Sequence, residues 1–204
     1  SGRARHRVRF FLSPEGLAYR SFRKHDPVVP ERCPAIHPDI DSIRGPLGDR
    51  LLQAGLEGSS VLIVRGLLAT EERWRLFVSV QTPLKECGAL FSEDEPIFFD
   101  LGGIRVQNRD GELLWEKGDG VFDWPLTLRG RTHRARFPLG SFTQPDPHGN
   151  NLLVQTLCEV LDELKPAPFH ALELYSGAGN LSRAWPSELK SLVVVERDES
   201  ALDC

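Results

Sequence analysis

The sequence predicts an α+β region of antiparallel hairpins over residues 1–137, followed by the opening of an α/β domain over residues 138–204. Three observations lead there. Short apolar or alternating runs, separated by turn-forming Gly, Pro, Asn and Asp, fill the N-terminal part. One amphipathic helical pattern follows at Asn151–Leu164. Beyond it, Leu172–Glu196 reads as a strand, a glycine-rich turn, a short helix and a second strand ending in an acid.

Composition narrows the class. Of 204 residues, 40% are hydrophobic and 26% charged, the balance of a globular protein with a sizeable core. No apolar run approaches the roughly 20 residues of a membrane span, and no signal peptide opens the chain. Cys33, Cys87, Cys158 and Cys204 are scattered without a C-x-x-C pair, which predicts reduced thiols in a cytoplasmic protein. The formal net charge of −4 excludes a globally basic nucleic-acid binder. Its distribution is uneven: seven Arg or Lys against one acid, Glu15, from Ser1 to His25, and four arginines with His133 and no acid from Arg129 to Arg136. Segregated charge of this kind permits a basic face on an acidic protein, and solvated strand faces account for it equally well. There is no methionine, even at position 1, so the chain reads as a piece of something longer.

Val8–Ser13 and Leu17–Phe22 form a predicted hairpin about Pro14-Glu15-Gly16, with arginines interleaved among Phe10, Phe11, Tyr19 and Phe22. That mixture suits phosphates and stacked bases, although aromatics more often fill the inner face of a sheet. Residues 24–38 are loop-like, and His25, Cys33 and His37 there are metal ligands by type only. Ile40, Ile43, Leu47 and Leu51 keep helical spacing, with Gly45-Pro46 expected to bend or divide the helix. Ser60–Leu68 and Trp74–Gln81 read as strands, followed by Ile97–Leu101, Ile104–Gln107 and Glu112–Lys117. Turns are predicted at Gly102-Gly103, Asn108–Gly111 and Gly118–Gly120, so the expectation is a meander of antiparallel hairpins. Asn151 is the expected N-cap of the next helix, with Leu153, Leu157, Val160, Leu161 and Leu164 as its buried stripe. A second helix is expected over Leu181–Leu189, shortened or kinked by Pro186.

The turn Tyr175–Asn180 carries the chemistry. Gly177 and Gly179 let the backbone approach a ligand closely, and Glu196, at the tip of the next strand, can accept hydrogen bonds from ribose hydroxyls. The dinucleotide fingerprint G-x-G-x-x-G is not met, because Ser182 stands where the third glycine belongs. S-adenosylmethionine carries no phosphates and asks less of the helix N-terminus. An ordinary glycine-rich turn remains the competing interpretation.

The order of G-S-F-T-Q (140–144), a helix, L-E-L-Y-S-G-A-G-N-L-S (172–182) and V-V-V-E (193–196) resembles the RNA 5-methyluridine methyltransferases of the 23S rRNA and tRNA type. G-L-A-Y-R-S-F-R (16–23) and C-P (33–34) are similar to that family's central domain. The resemblance implies an α+β central domain contacting RNA, residues 1–137, then the N-terminal part of a Rossmann-like methyltransferase domain, residues 138–204. It also implies S-adenosyl-L-methionine as cofactor, with Gln144 at the cofactor and substrate uracil, Tyr175 and Asn180 in the cofactor loop beside Gly177 and Gly179, and Glu196 on the ribose. Arg7, Arg9, Arg131, Arg134 and Arg136 are the expected RNA contacts.

There are departures from the family pattern. Ser176 replaces its usual cysteine, Leu181 its phenylalanine, and Pro145-Asp146-Pro147 its residues after the glutamine. Cys33 matches the last of four cysteines that hold an iron–sulfur cluster in some members; the other three would precede Ser1. In the family a cysteine thiolate attacks uracil C6, which makes C5 nucleophilic, and a base later removes the C5 proton. The matching cysteine and base would lie beyond Cys204, so no catalytic residue is assigned here. The alternatives are a non-catalytic RNA-binding module with a residual cofactor loop, and a methyltransferase acting on something other than RNA.

Overall fold

The computed structural model describes residues 4–202 apart from 22, 25, 69, 71, 88–100 and 165–169, and the backbone alone of Ser200. Expectations for His25, Phe22, most of the strand Ile97–Leu101 and Cys204 therefore lie outside the described residues.

The predicted hairpin is present. β1 (Arg7–Ser13) and β2 (Gly16–Arg20) pair antiparallel, and Gly16 turns the chain at φ +115°. β2 carries on its far edge the two-residue β3 (Pro27–Val28). β4 (Ser60–Leu67) pairs with β1 and with β5 (Trp74–Thr82), both antiparallel. β6 (Leu101–Asn108) and β7 (Leu113–Gly118) extend the sheet, which runs β3-β2-β1-β4-β5-β6-β7. β8 (Val121–Leu128) and β9 (Arg131–Pro138) form a further hairpin joined to β4 at Leu67 and Asp123.

The meander expectation is corrected in two places. β5 and β6 are parallel, so they are not successive arms of a hairpin. Gly102-Gly103 is not a turn, since β6 runs through it. A Cβ at Gly102 would strike the Phe77 ring and one at Gly103 the Asp119 carbonyl, so these glycines serve close packing within the sheet.

α1 (Pro38–Gln53) covers one face of the sheet. It is not divided at Pro46, which lies on the exposed side, where water can satisfy the carbonyl its missing N–H leaves free. Ile40, Leu47 and Leu51 pack with Val8, Phe10, Val61 and Ile63 in one core. The other face of β4 sends Leu62 and Val64 into a second core with Phe77, Phe122, Trp124 and Phe137. Burial on both faces accounts for the nearly continuous apolar run of β4.

α2 (Pro147–Glu163) begins four residues before the expected helix. Asp146 is its N-cap, accepting from the His148 and Gly149 N–H groups, and Pro147 occupies the first turn, where no N–H is needed. Its buried stripe is Asn150, Val154, Cys158 and Leu161, so only Leu161 of the expected stripe is buried. Leu153, Val160 and Leu164 are 46%, 48% and 62% exposed. β10 (His170–Leu174) and β11 (Ser191–Val195) are parallel as expected, yet Leu172, Leu174 and Val193 remain exposed rather than buried. Between them the predicted helix Leu181–Leu189 shrinks to one 3₁₀ turn, Ser182–Ala184. Pro186 forces Trp185 into an extended conformation (ψ 142°), which ends helical winding there. α3 (Glu199–Leu202) follows β11.

Candidate functional site

The glycine turn is held from both ends. Tyr175 and Ser176 donate backbone N–H groups to the Val195 carbonyl, which fixes the turn to the end of β11. Tyr175, Gly177 and Gly179 have φ of +58°, +56° and +71°, left-handed conformations that cost little only for the glycines. A strained tyrosine with an 89% exposed ring is a local cost that clusters at functional positions. Arg183 donates to the Ala178 and Gly179 carbonyls, both at 2.7 Å, and ties the turn shut from below.

Glu196 directly follows β11 and is held by backbone N–H groups on both carboxylate oxygens. One carboxylate oxygen accepts the Gly177 N–H at 2.7 Å, and the other accepts Arg197 and Asp198 N–H at 2.7 and 2.9 Å. The Asp198 N–H, then those of Gly177 and Arg197, hold this carboxyl below the usual glutamate range. A carboxylate offers about four acceptor positions. Three are taken, leaving about one open.

At the other end of the turn, Asn180 meets Asn150 of α2. Glu173, buried in β10, accepts from Ser182 Oγ at 2.9 Å and Trp185 Nε1 at 3.1 Å, so its charge has partners. The connector after β9 completes the wall. The His6 N–H donates to the Pro145 carbonyl at 2.7 Å, anchoring the residue after Gln144 to the N-terminal segment. Trp124 and Phe137, ring centroids 5.8 Å apart, supply an apolar floor.

These elements enclose a cavity of about 390 Å³. Gln144, Tyr175, Gly177, Asn180 and Glu196, all expected from the sequence, line it together. Gly179 does not; it borders a hollow on the opposite side of the turn with Ser182 and Arg183. A larger hollow of about 420 Å³ lies between α1 and β5, but Asp39 in its wall is already bound by Arg65 at 2.6 Å, and no predicted site residue reaches it.

The basic residues fall into three groups. Arg7 is half-buried, donating to the Ser141 carbonyl at 3.4 Å with its guanidinium over the Phe142 ring, beside the cavity. Arg9 lies on the outer sheet face against Ser60, and Arg131 is exposed. Arg134 and Arg136 pair with Glu72 at 3.1 Å and Asp123 at 3.0 Å. His37 caps α1, its Nδ1 accepting the Asp39 N–H, and Cys33 lies against the Tyr19 hydroxyl. Among the described residues no cluster of three His, Cys, Asp or Glu side chains could hold a metal ion, and no helix is long and apolar enough to cross a membrane.

Sequence reasoning missed Asn150, Glu173, Trp124 and Phe137 as lining residues. The signal for Glu173 was within reach, as an acid interrupting the short apolar run Leu172–Leu174. Asn150 had none, being one more polar residue ahead of a helix.

No family model matches the chain, and no curated protein matches it in sequence. Among solved structures, the fold is similar to that of the tRNA (uracil-54, C5)-methyltransferase of Pyrococcus abyssi, solved in complex with S-adenosyl-L-homocysteine. The TM-score is 0.68 at 16% identity, and the match covers 98% of this chain and 50% of that one. The chain thus spans half the length of that solved protein, and the likeness is one of fold. A Pyrococcus horikoshii protein provisionally assigned as a transferase overlaps less, with a TM-score of 0.33 at 14% identity over 65% of this chain and 47% of that one, too little to support an argument.

Proposed function

We propose that the chain supplies the cofactor pocket and an RNA-contacting surface of an S-adenosylmethionine-dependent enzyme that methylates uracil C5 in tRNA or 23S rRNA. The observation that carries the reading is the convergence of Gln144, Tyr175, Gly177, Asn180 and Glu196 on one cavity, although Gln144 and Glu196 are 52 positions apart in the sequence. The fold shared with the Pyrococcus abyssi enzyme supports it.

The residues present suit the cofactor. Glu196 is ionised and fixed, with acceptor capacity left for a ribose hydroxyl, and the turn at Gly177 presents no side chain to keep a nucleoside away. S-adenosylmethionine would supply an electrophilic methyl group. The chain's own part is to bind and orient: Trp124 and Phe137 exclude water from the floor, Tyr175 overhangs the mouth, and the Gln144 amide offers a donor and an acceptor to a uracil edge. The opening β10–turn–β11 then belongs to a Rossmann-like domain, and the hairpins before residue 138 form the RNA-contacting one.

Calorimetric titration with S-adenosyl-L-homocysteine tests the cofactor reading. Saturable binding that is lost in Glu196→Ala supports it; no binding to the folded wild-type chain defeats it. A second reading is a non-catalytic RNA-binding module with a residual cofactor loop; under either reading Cys33, Cys87 and Cys158 lie away from this cavity. RNA binding without S-adenosyl-L-homocysteine binding would favour it.

A further inference from the structure

Thr143 lies in the connector between Phe142 and Gln144, and all three line the cavity. Phe142 is 71% exposed, whereas Thr143 is only 4% exposed. The Thr143 hydroxyl has no hydrogen-bond partner among the described residues. A buried hydroxyl left unpaired destabilises a fold, and valine, which has the same shape, would avoid that cost. Nearby polar groups are engaged: Glu173 with Ser182 and Trp185, Asn150 with Asn180, Glu196 with three backbone N–H groups.

We infer that Thr143 is a specificity-determining ligand contact, whose hydroxyl takes its partner on the α-amino-carboxylate end of bound S-adenosylmethionine or S-adenosyl-L-homocysteine. This rests on the cofactor reading of the same cavity. Glu196 binds Gly177 at the opening of the glycine turn, which places the ribose there. The closing residue, Asn180, is tied to α2, and Thr143 and Gln144 belong to the connector that leads into α2. That side of the cavity therefore presents a hydroxyl and carboxamides, neutral groups that both donate and accept. A zwitterion needs both, and a single hydroxyl can donate to the carboxylate or accept from the ammonium group.

The test compares wild type, Thr143→Val and Thr143→Ser in calorimetric titrations with S-adenosyl-L-homocysteine and with 5′-methylthioadenosine, a nucleoside thioether lacking the amino-acid end. Thr143→Val should bind S-adenosyl-L-homocysteine roughly fivefold more weakly, the size of one net hydrogen bond. Its affinity for 5′-methylthioadenosine should be unchanged, and Thr143→Ser should keep wild-type affinity for both. Ligand-free Thr143→Val should melt above the wild type, because the unpaired hydroxyl is gone. Equal loss for both ligands would move the contact to the nucleoside and overturn the inference, as would a loss in Thr143→Ser or unaltered binding in Thr143→Val. If the wild type binds neither ligand, the cofactor reading itself fails and takes this inference with it. If the wild type binds and Thr143→Val binds equally well, only the role of Thr143 is lost.

Discussion

Asn150 and Asn180 exchange two hydrogen bonds: the Asn150 amide donates to Asn180 Oδ1 at 2.9 Å, and the Asn180 amide donates to Asn150 Oδ1 at 2.8 Å. The pair joins the first turn of α2 to the end of the glycine turn, across 30 positions of sequence. Asn150 is 6% exposed, so losing its partner strands a largely buried amide. Asn180 thus positions the loop through α2 as well as facing the cavity.

Asn180→Ala is expected to destabilise the chain by about 1–3 kcal/mol, the cost of stranding a buried amide, and to weaken S-adenosyl-L-homocysteine binding. Asn150→Ala should do the same, and the double variant should cost less than the sum. Thermal melts and calorimetry on the four proteins measure the coupling. Strict additivity would mean that the two amides act independently.

Glu196 sets a pH dependence whose sign follows from its lowered pKa. Its contribution is complete above the ordinary glutamate range and is lost as pH falls through the lower value it has in the fold. S-adenosyl-L-homocysteine affinity should therefore be level from neutral pH down to that range and drop below it. Glu196→Gln should bind weakly throughout and lack the acid-side drop, so that the two curves converge as pH falls.

His6 acts in the same sense, on stability and over a higher pH range. Burial, with His37 and Arg65 adding to it and Asp146 and Asp39 opposing, draws its pKa from 6.5 down to about 4. The unfolded chain takes up a proton that the fold resists, so stability should decline as pH falls from about 6.5 towards 4. His6→Phe retains a ring against His37 and Trp74 and should show a smaller fall in melting temperature between pH 7.5 and 5. An identical fall in both proteins would assign the effect to other groups.

The arginines should separate in RNA titrations over a range of salt. Arg9→Gln and Arg131→Gln should each lower the slope of log affinity against log salt by about one, the mark of one phosphate contact. Arg136→Gln should chiefly lower stability, because Asp123, with a side chain only 4% exposed, loses its partner. A salt slope unchanged by all three would remove the RNA claim from these residues.

The β1–β2 hairpin, the β4–β5 pair and the glycine turn were legible because each depends on local pattern. The β8–β9 hairpin was not. Its second strand has four exposed residues in succession, Arg131 to Arg134, so alternation fails, and Pro125 interrupts its first. That proline is tolerated because β8 pairs along its length only with β9 and touches β4 at a single position, leaving an edge free. The stripe of α2 was misplaced because apolar residues surround most of that helix and its buried face includes an asparagine, which periodicity cannot nominate. The cavity needed three distant segments, and only their motifs, not their meeting, could be read from the chain.

β4 divides its side chains between two cores, Val61 and Ile63 on one side, Leu62 and Val64 on the other. A strand gripped on both faces makes the two halves a single cooperative unit. Its amides should be the last to exchange with deuterium, at the free energy of global opening. Neither core is complete until β4 is in place, and the two cores draw on residues from Val8 to Ala184. Folding then waits on chain closures spanning most of the described sequence, which predicts slow refolding and damage at either core felt by both.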